Sequence, residues 1–402
     1  MERTILEAQS RSKQLDDRSL SIQGVDVLTP NGWLKDATVL VEDGKFASID
    51  SCSSPNGSHQ INTKGLQMLP GIVDIHGDAF ERAIAPRPGV NFPISLAIAE
   101  NDRQLIAAGI TTFFYSITDS YEPGLRSREM ARNLLDFILD TGKSTLRCNS
   151  YIHIRHELAN TDCYDELCDW LKSGRVHMLS LNDHLPPPGN PQKLLRHLKG
   201  LRRRLSLTDE EIDELFARIE LQREPGHQQV KELVELAHSL RIPVASHDDD
   251  SEEKVALSQS RGVAIAEFPS TVELAANSRA YGAAVLMGAP NLVRGGSHLG
   301  WMNAADALRA GVLDILCSDY HYPSLFHAPF KLQELGLMPF EQAWELVSGR
   351  PAVASGLGDR KGKIAPTYDA DFLLVQPGNA MPSAIAAVYV AGRPIVQYAS
   401  LC

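Results

Sequence analysis

Imidazoles and carboxylates recur at short spacings along the chain: His76-x-Asp78, His153-x-Arg155-x-Glu157, Asp183-His184, His247 followed by Asp248, Asp249 and Asp250, then Glu267, and finally Asp319. These are the borderline and hard donors that suit Zn²⁺, Mn²⁺ or Fe²⁺, and no thiolate belongs to the set. A divalent cation held by such donors lowers the pKa of a bound water from about 15.7 to about 7. A carboxylate such as Asp319 can then accept the water proton and pass it to a leaving group. The chemistry implied is hydrolysis by activated water. Taken singly, each string is weak: a His-x-Asp pair reads as a polar strand end, and a lone histidine at a strand end is more often structural. Their succession carries the argument.

These residues need elements that aim them at one point. Each string closes or follows an apolar run, and eight such runs are readable as strands: 71–76, 111–117, 150–157, 178–183, 243–248, 264–268, 284–288 and 314–319. In a strand, residues two apart share a face, so His76 sides with Asp78, and His153 with Arg155 and Glu157. Each run is followed by a helix-like or loop segment. That alternation predicts a parallel sheet with helical crossovers, and eight repeats over residues 69–357 predict closure into a (β/α)8 TIM-like barrel. Barrel enzymes carry their sites at the C-terminal strand ends, where these polar residues lie. Cys317, two residues before Asp319, reads as packing.

Residues 19–68 and 358–402 have a different texture of short strands and turns, with strands over 21–28, 37–44, 45–49, 371–375, 386–392 and 394–398. Glu42-Asp-Gly44 reads as a hairpin turn. The two ends are expected to combine into one small β-sandwich-like domain. Residues 190–240 form a long helical insertion after the fourth strand, in which Thr208 can cap a helix with Glu211 three residues on. Residues 1–18 are expected to be disordered.

The chain has 402 residues, 43% hydrophobic and 22% charged, with a net charge of −11. This acidity argues against a nucleic-acid binder. No run of about 18 apolar residues is present, so no membrane span is expected. The polar start shows no signal-peptide core, and the six cysteines lack C-x-x-C spacing. Both point to reduced thiols in the cytoplasm. An anionic substrate would need local cations or a metal. Arg202, Arg203 and Arg204 with Lys199 form the one basic run, read first as a solvated helix face and second as a phosphate-facing lid. The Gly-rich string Met287–His298, carrying Arg294, suits a phosphate. A homo-oligomer remains open.

The string Leu69-Pro-Gly-Ile-Val-Asp-Ile-His-Gly-Asp78, after a small β segment, resembles the amidohydrolase superfamily. Pro86-Arg-Pro-Gly89, Ala108-Gly-Ile-Thr-Thr112, Ser180-Leu-Asn-Asp-His184, Ala245-Ser-His-Asp-Asp249, Ala266-Glu-Phe-Pro-Ser-Thr271, Met287–His298 and Ser318-Asp-Tyr320 narrow it. From about 65 to about 375 the chain resembles the α-D-ribose 1-methylphosphonate 5-triphosphate diphosphatases of phosphonate catabolism. That resemblance implies release of diphosphate from a phosphorylated small molecule, with one or two divalent ions, zinc first and manganese or iron as alternatives. It also implies a metal site of His76, Asp78, Glu157, His184, His247 and Asp319, with Asp319 and His247 catalytic. Arg87, Arg155, Arg294, Ser297 and His298 would contact substrate. Whether Glu157 or Glu267 is a ligand stays open, and the first strand carries His-x-Asp where the superfamily more often has His-x-His. The alternative on the same scaffold is an amidohydrolase or deaminase acting on a small cyclic amide, amidine or aminated ring. A third reading, a barrel without catalysis, is disfavoured by the intact row of ligand-type residues.

Overall fold

The computed structural model describes residues 19–50, 59–87, 89–205, 207–295, 302–378 and 383–398. The expectations for residues 1–18, Ser297 and His298 lie outside the described residues. Eight parallel strands form the central sheet: β6 (Ile72–Gly77), β7 (Ile110–Asp119), β8 (Asn149–Glu157), β9 (Met178–Asn182), β10 (Val244–His247), β11 (Ile265–Glu267), β12 (Ala284–Gly288) and β13 (Ile315–Cys317). They neighbour one another in sequence order. Every residue of β7 is buried, as expected where one face fills a barrel and the other lies under helices. A parallel bridge between Gly77 and Asp319 brings the first and last strands together. There Asp319 N donates to His76 O and Asp78 N to Asp319 O, both at 3.0 Å. This join needs a glycine: a Cβ on Gly77 would lie 2.5 Å from Phe113 Cε2 and 2.9 Å from Ser318 Oγ.

The lower barrel is filled by Val73, Ile75, Phe114, Met178, Ala245, Ile265, Leu286, Ile315 and Cys317. Cys317 is therefore packing, as its sequence context suggests. A larger cluster lies between barrel and helices. All eight expected strands are present, each end within two residues of its expected place. The last run is shorter than expected at both ends. Its strand covers only Ile315–Cys317, and Asp319 lies beyond it with φ 53°.

The chain ends build a second sheet from β1 (Leu20–Thr29), β2 (Gly32–Glu42), β3 (Lys45–Asp50), β4 (His59–Asn62), β5 (Gln67–Pro70), β14 (Phe372–Gln376), β15 (Ala384–Val390) and β16 (Arg393–Gln397). Its order is β16-β15-β14-β5-β1-β2-β3, with β4 also on β1. The two ends meet where β5 pairs antiparallel with β14. Phe46 of β3 lies 6.0 Å from Phe372 of β14, although three strands separate them in the sheet. The sheet thus curls over its own core, giving the two-faced packing of a sandwich from one continuous sheet. Asp43 and Gly44 both have positive φ, at 49° and 73°, which is the expected hairpin turn.

The insertion comprises helices Pro191–Arg204, Asp209–Leu221 and Arg223–Ser239. Thr208 and Glu211 form the expected reciprocal capping box.

Candidate metal centre

Four barrel strands direct imidazole or carboxylate groups to one point. His76 is fully buried at the end of β6, with Nδ1 2.9 Å from Glu267 Oε1 at the end of β11. The other Glu267 oxygen accepts from Ser180 Oγ at 2.9 Å and lies 3.1 Å from His247 Nδ1. His247 Nε2 accepts from Arg155 Nη2 at 2.9 Å. A guanidinium only donates, so His247 carries its proton on Nδ1 and gives it to Glu267. His153, on the inner face of β8, has Nδ1 3.1 Å from both Ile75 O and Ser116 Oγ.

A second group lies toward the mouth. His184 Nδ1 pairs with Glu157, and His184 Nε2 and His247 Nε2 each lie 3.7 Å from Asp248 Oδ2. Arg155 Nη1 reaches Asp78 Oδ2 at 3.4 Å. Asp248 has φ 56°, a conformation that aspartate tolerates better than most residues.

Charge in this site is unbalanced. Four carboxylates, those of Asp78, Glu157, Asp248 and Asp319, interact with the guanidinium of Arg155, and Glu267 adds a fifth negative charge among the histidines. Burial opposes ionisation of Glu157, but the adjacent His184 holds it at about 2, and Glu157 in turn raises His184 to about 10. Burial also opposes ionisation of Glu267, yet His76 and His153 keep it well below the usual carboxylate range. Burial first, and then the Asp78 charge, push Asp319 up to about 6. Burial drives His153 down to about 3.

A divalent cation fits this donor set. His153 Nε2 is buried without a hydrogen-bond partner, and such an orphan requires an explanation. Donor atoms of His76, His153 and Glu267 lie within 4.8 Å of one another, as do those of His184, His247 and Asp248. Of the six residues expected to hold metal, His76 falls in the first group and His184 and His247 in the second. Glu157, Asp78 and Asp319 border them through His184, Arg155 and the barrel join. His153, Glu267 and Asp248 enter the two groups although none is among those six. His153 was readable from its place on the Arg155–Glu157 face, and Glu267 from its strand end.

The expected substrate contacts divide differently. Arg155 is at the centre. Arg87 lies in an exposed turn, bridged through its backbone to Val90. Arg294 is exposed in the last turn of helix Ala289–Arg294, so the expected Gly-rich loop is helical as far as Arg294. The cations near the site come from elsewhere. A cavity of about 790 Å³ opens above Glu157, His184 and Asp248. Lys193, Arg196, His197, Gly200 and Arg204 of helix Pro191–Arg204 line its far side, at a spacing that puts them on one helical face. Arg126, Arg223 and Lys254 complete the basic lining. The basic run therefore splits. Arg204 turns inward to Glu122, whereas Arg202 pairs with Asp209 at the surface.

A closed parallel barrel with a histidine–carboxylate cluster at its mouth defines a class, and comparison supports it: the Amidohydrolase family matches residues 68–395. The chain belongs to that family, whose members generally bind divalent metals. It is 34% identical over 323 residues to the α-D-ribose 1-methylphosphonate 5-triphosphate diphosphatase of Escherichia coli (strain K12), covering 77% of this chain and 83% of that protein. Among solved structures, molinate hydrolase superposes with a TM-score of 0.65 at 13% identity, covering 94% of this chain and 95% of the other. A Xaa-Pro dipeptidase with bound methionine gives 0.63 at 14%, covering 94% and 99%. These structures establish the fold. Among the described residues, no helix is long and apolar enough to cross a membrane.

Proposed function

We propose that this chain hydrolyses a phosphoanhydride, releasing diphosphate from α-D-ribose 1-methylphosphonate 5-triphosphate in phosphonate catabolism. The observation that carries the reading is the juxtaposition of the His–carboxylate cluster with a cavity whose opposite wall is basic. The 34% relative, matched over most of its length, supports the particular substrate. A divalent cation, zinc first by the donor set, supplies Lewis acidity and a nucleophilic water near neutral pH when held there.

The chain's own residues do the rest. Glu267 fixes the ring planes of His76 and His247. Arg155, whose Nε is buried without an acceptor, offers a donor to a phosphate oxygen. Asp319 accepts the proton of the attacking water. The water oxygen bonds to one phosphorus, the bridging P–O bond breaks, and the diphosphate oxygen so freed takes the proton from Asp319. The four described cysteines are free thiols, which supports a reducing, cytoplasmic setting.

The test is diphosphate release by metal-loaded protein from this substrate, with nucleoside triphosphates, cyclic amides and aminated rings as comparators. Selective release is expected. Turnover of an amide or aminated ring without diphosphate release would overturn the substrate while keeping the metal site.

A further inference from the structure

We propose that the inward face of helix Pro191–Arg204 is a polyphosphate seat, holding the two distal phosphates of the substrate while the proximal phosphate faces the metal centre. This deepens the preceding reading and rests on it for the orientation of the substrate.

The face is built for anions. Lys193, Arg196, His197 and Arg204 line one side of the cavity, and the only fully buried residue of the helix is Leu201. An ordinary amphipathic helix turns an apolar stripe inward and its cations outward; this one turns cations inward as well.

Lys193 and Lys254 both pair with Asp250, but several other polar atoms of the lining have no partner. Arg204 spends Nε and Nη2 on Glu122, leaving Nη1. Across the cavity, Arg126 spends Nη2 on Glu81. Arg223 spends Nη2 on Glu220 and the Pro186 carbonyl, and its Nε is buried without an acceptor. His197 Nε2 is likewise buried and unpartnered. Arg196 makes no ion pair among the described residues. Buried polar groups are seldom left unsatisfied, and the side chains that carry these all line the same cavity.

The neighbouring carboxylates act as props. Each holds a guanidinium by one edge, and all three arginines line the cavity. An anion with many oxygens, carrying more than one charge and extended rather than compact, satisfies several such groups at once by charge-assisted pairs. A diphosphate unit has that chemistry. The volume, about 790 Å³, accommodates a sugar polyphosphate. The rest of the molecule is acidic, so the attraction is local.

The test is calorimetric binding of inorganic tripolyphosphate to the full-length, metal-loaded protein, together with steady-state kinetics. Arg196→Gln, at an exposed position and without a native pair, is expected to weaken binding roughly tenfold or more. It should raise KM for the ribose triphosphate more than it lowers kcat. Arg196→Glu should weaken binding further. Arg203→Gln, outside the cavity lining, is the control and should bind as the unaltered protein does. If the ribose triphosphate is not hydrolysed but tripolyphosphate binds in an Arg196-dependent way, the seat stands and the substrate assignment falls. If hydrolysis proceeds while both Arg196 variants match the control in binding and KM, the seat is refuted and the substrate assignment stands.

Discussion

Glu267 accepts from His76, His247 and Ser180 at once, so one carboxylate orients two imidazoles on different strands. In Glu267→Gln an amide nitrogen replaces one of those acceptors and must face a donor. Metal affinity should fall about 10–100-fold, the usual cost of losing such a partner, as read by competition with a chromophoric chelator; unchanged affinity would remove Glu267 from the site. Asp319 tests catalysis itself. Asp319→Asn keeps the shape and tolerates the φ of 53°, so the fold should survive while kcat falls about 10²–10⁴-fold. Full activity with a normal circular dichroism spectrum would exclude Asp319 as the proton acceptor. At this scale the donor types were legible in the sequence, because they close successive apolar runs. The substrate contacts were less so. Arg87 and Arg294 stand at suggestive motifs, yet the cavity takes its cations from Arg126, the insertion helix, Arg223 and Lys254, which only the folded chain brings together.

Three non-glycine residues just past barrel strands adopt left-handed backbone: Asp248 after β10, Phe268 after β11 and Asp319 after β13. Each donates its N–H to a neighbouring strand, to Glu267 O, Leu286 O and His76 O respectively, all at 3.0 Å. The ladder thus extends one residue beyond β10 and β11 and two beyond β13 while the chain turns. Such strained positions concentrate at functional sites, and sequence patterning cannot reveal them. The strands themselves were readable as apolar runs with polar ends, whereas β4 and β5, four residues each, are too short to show a period. The capping box was readable too, being purely local. Thr208→Ala should cost about 1 kcal/mol, confined to the insertion. It should appear as faster amide exchange over Asp209–Leu221 with the barrel amides unchanged. Equal loosening of the barrel would mean that the insertion is integral to it.

Across the whole molecule, net acidity and a concentrated ring of carboxylates at the barrel mouth make the folded state a better host for a divalent cation than the unfolded chain. Metal bound at about 100 times its dissociation constant should add about 2.7 kcal/mol of stability. Thermal melts should therefore move up with added Zn²⁺ or Mn²⁺ and down with chelator. A melting temperature indifferent to both would contradict a metal centre.

The pairing of β5 with β14 sets Leu69 opposite Leu373 and Met68 opposite Leu374, all four fully buried. During synthesis, β5 leaves the ribosome long before its partner exists. Until β14 arrives, the nascent chain presents an apolar, unpaired strand edge, the kind of template that recruits other chains. The last strands made thus act as a closing clasp whose timing governs soluble yield. Release of the chain after residue 371 should give aggregated protein even though every metal donor has been made; soluble, metal-binding product from that truncation would show that the clasp is dispensable.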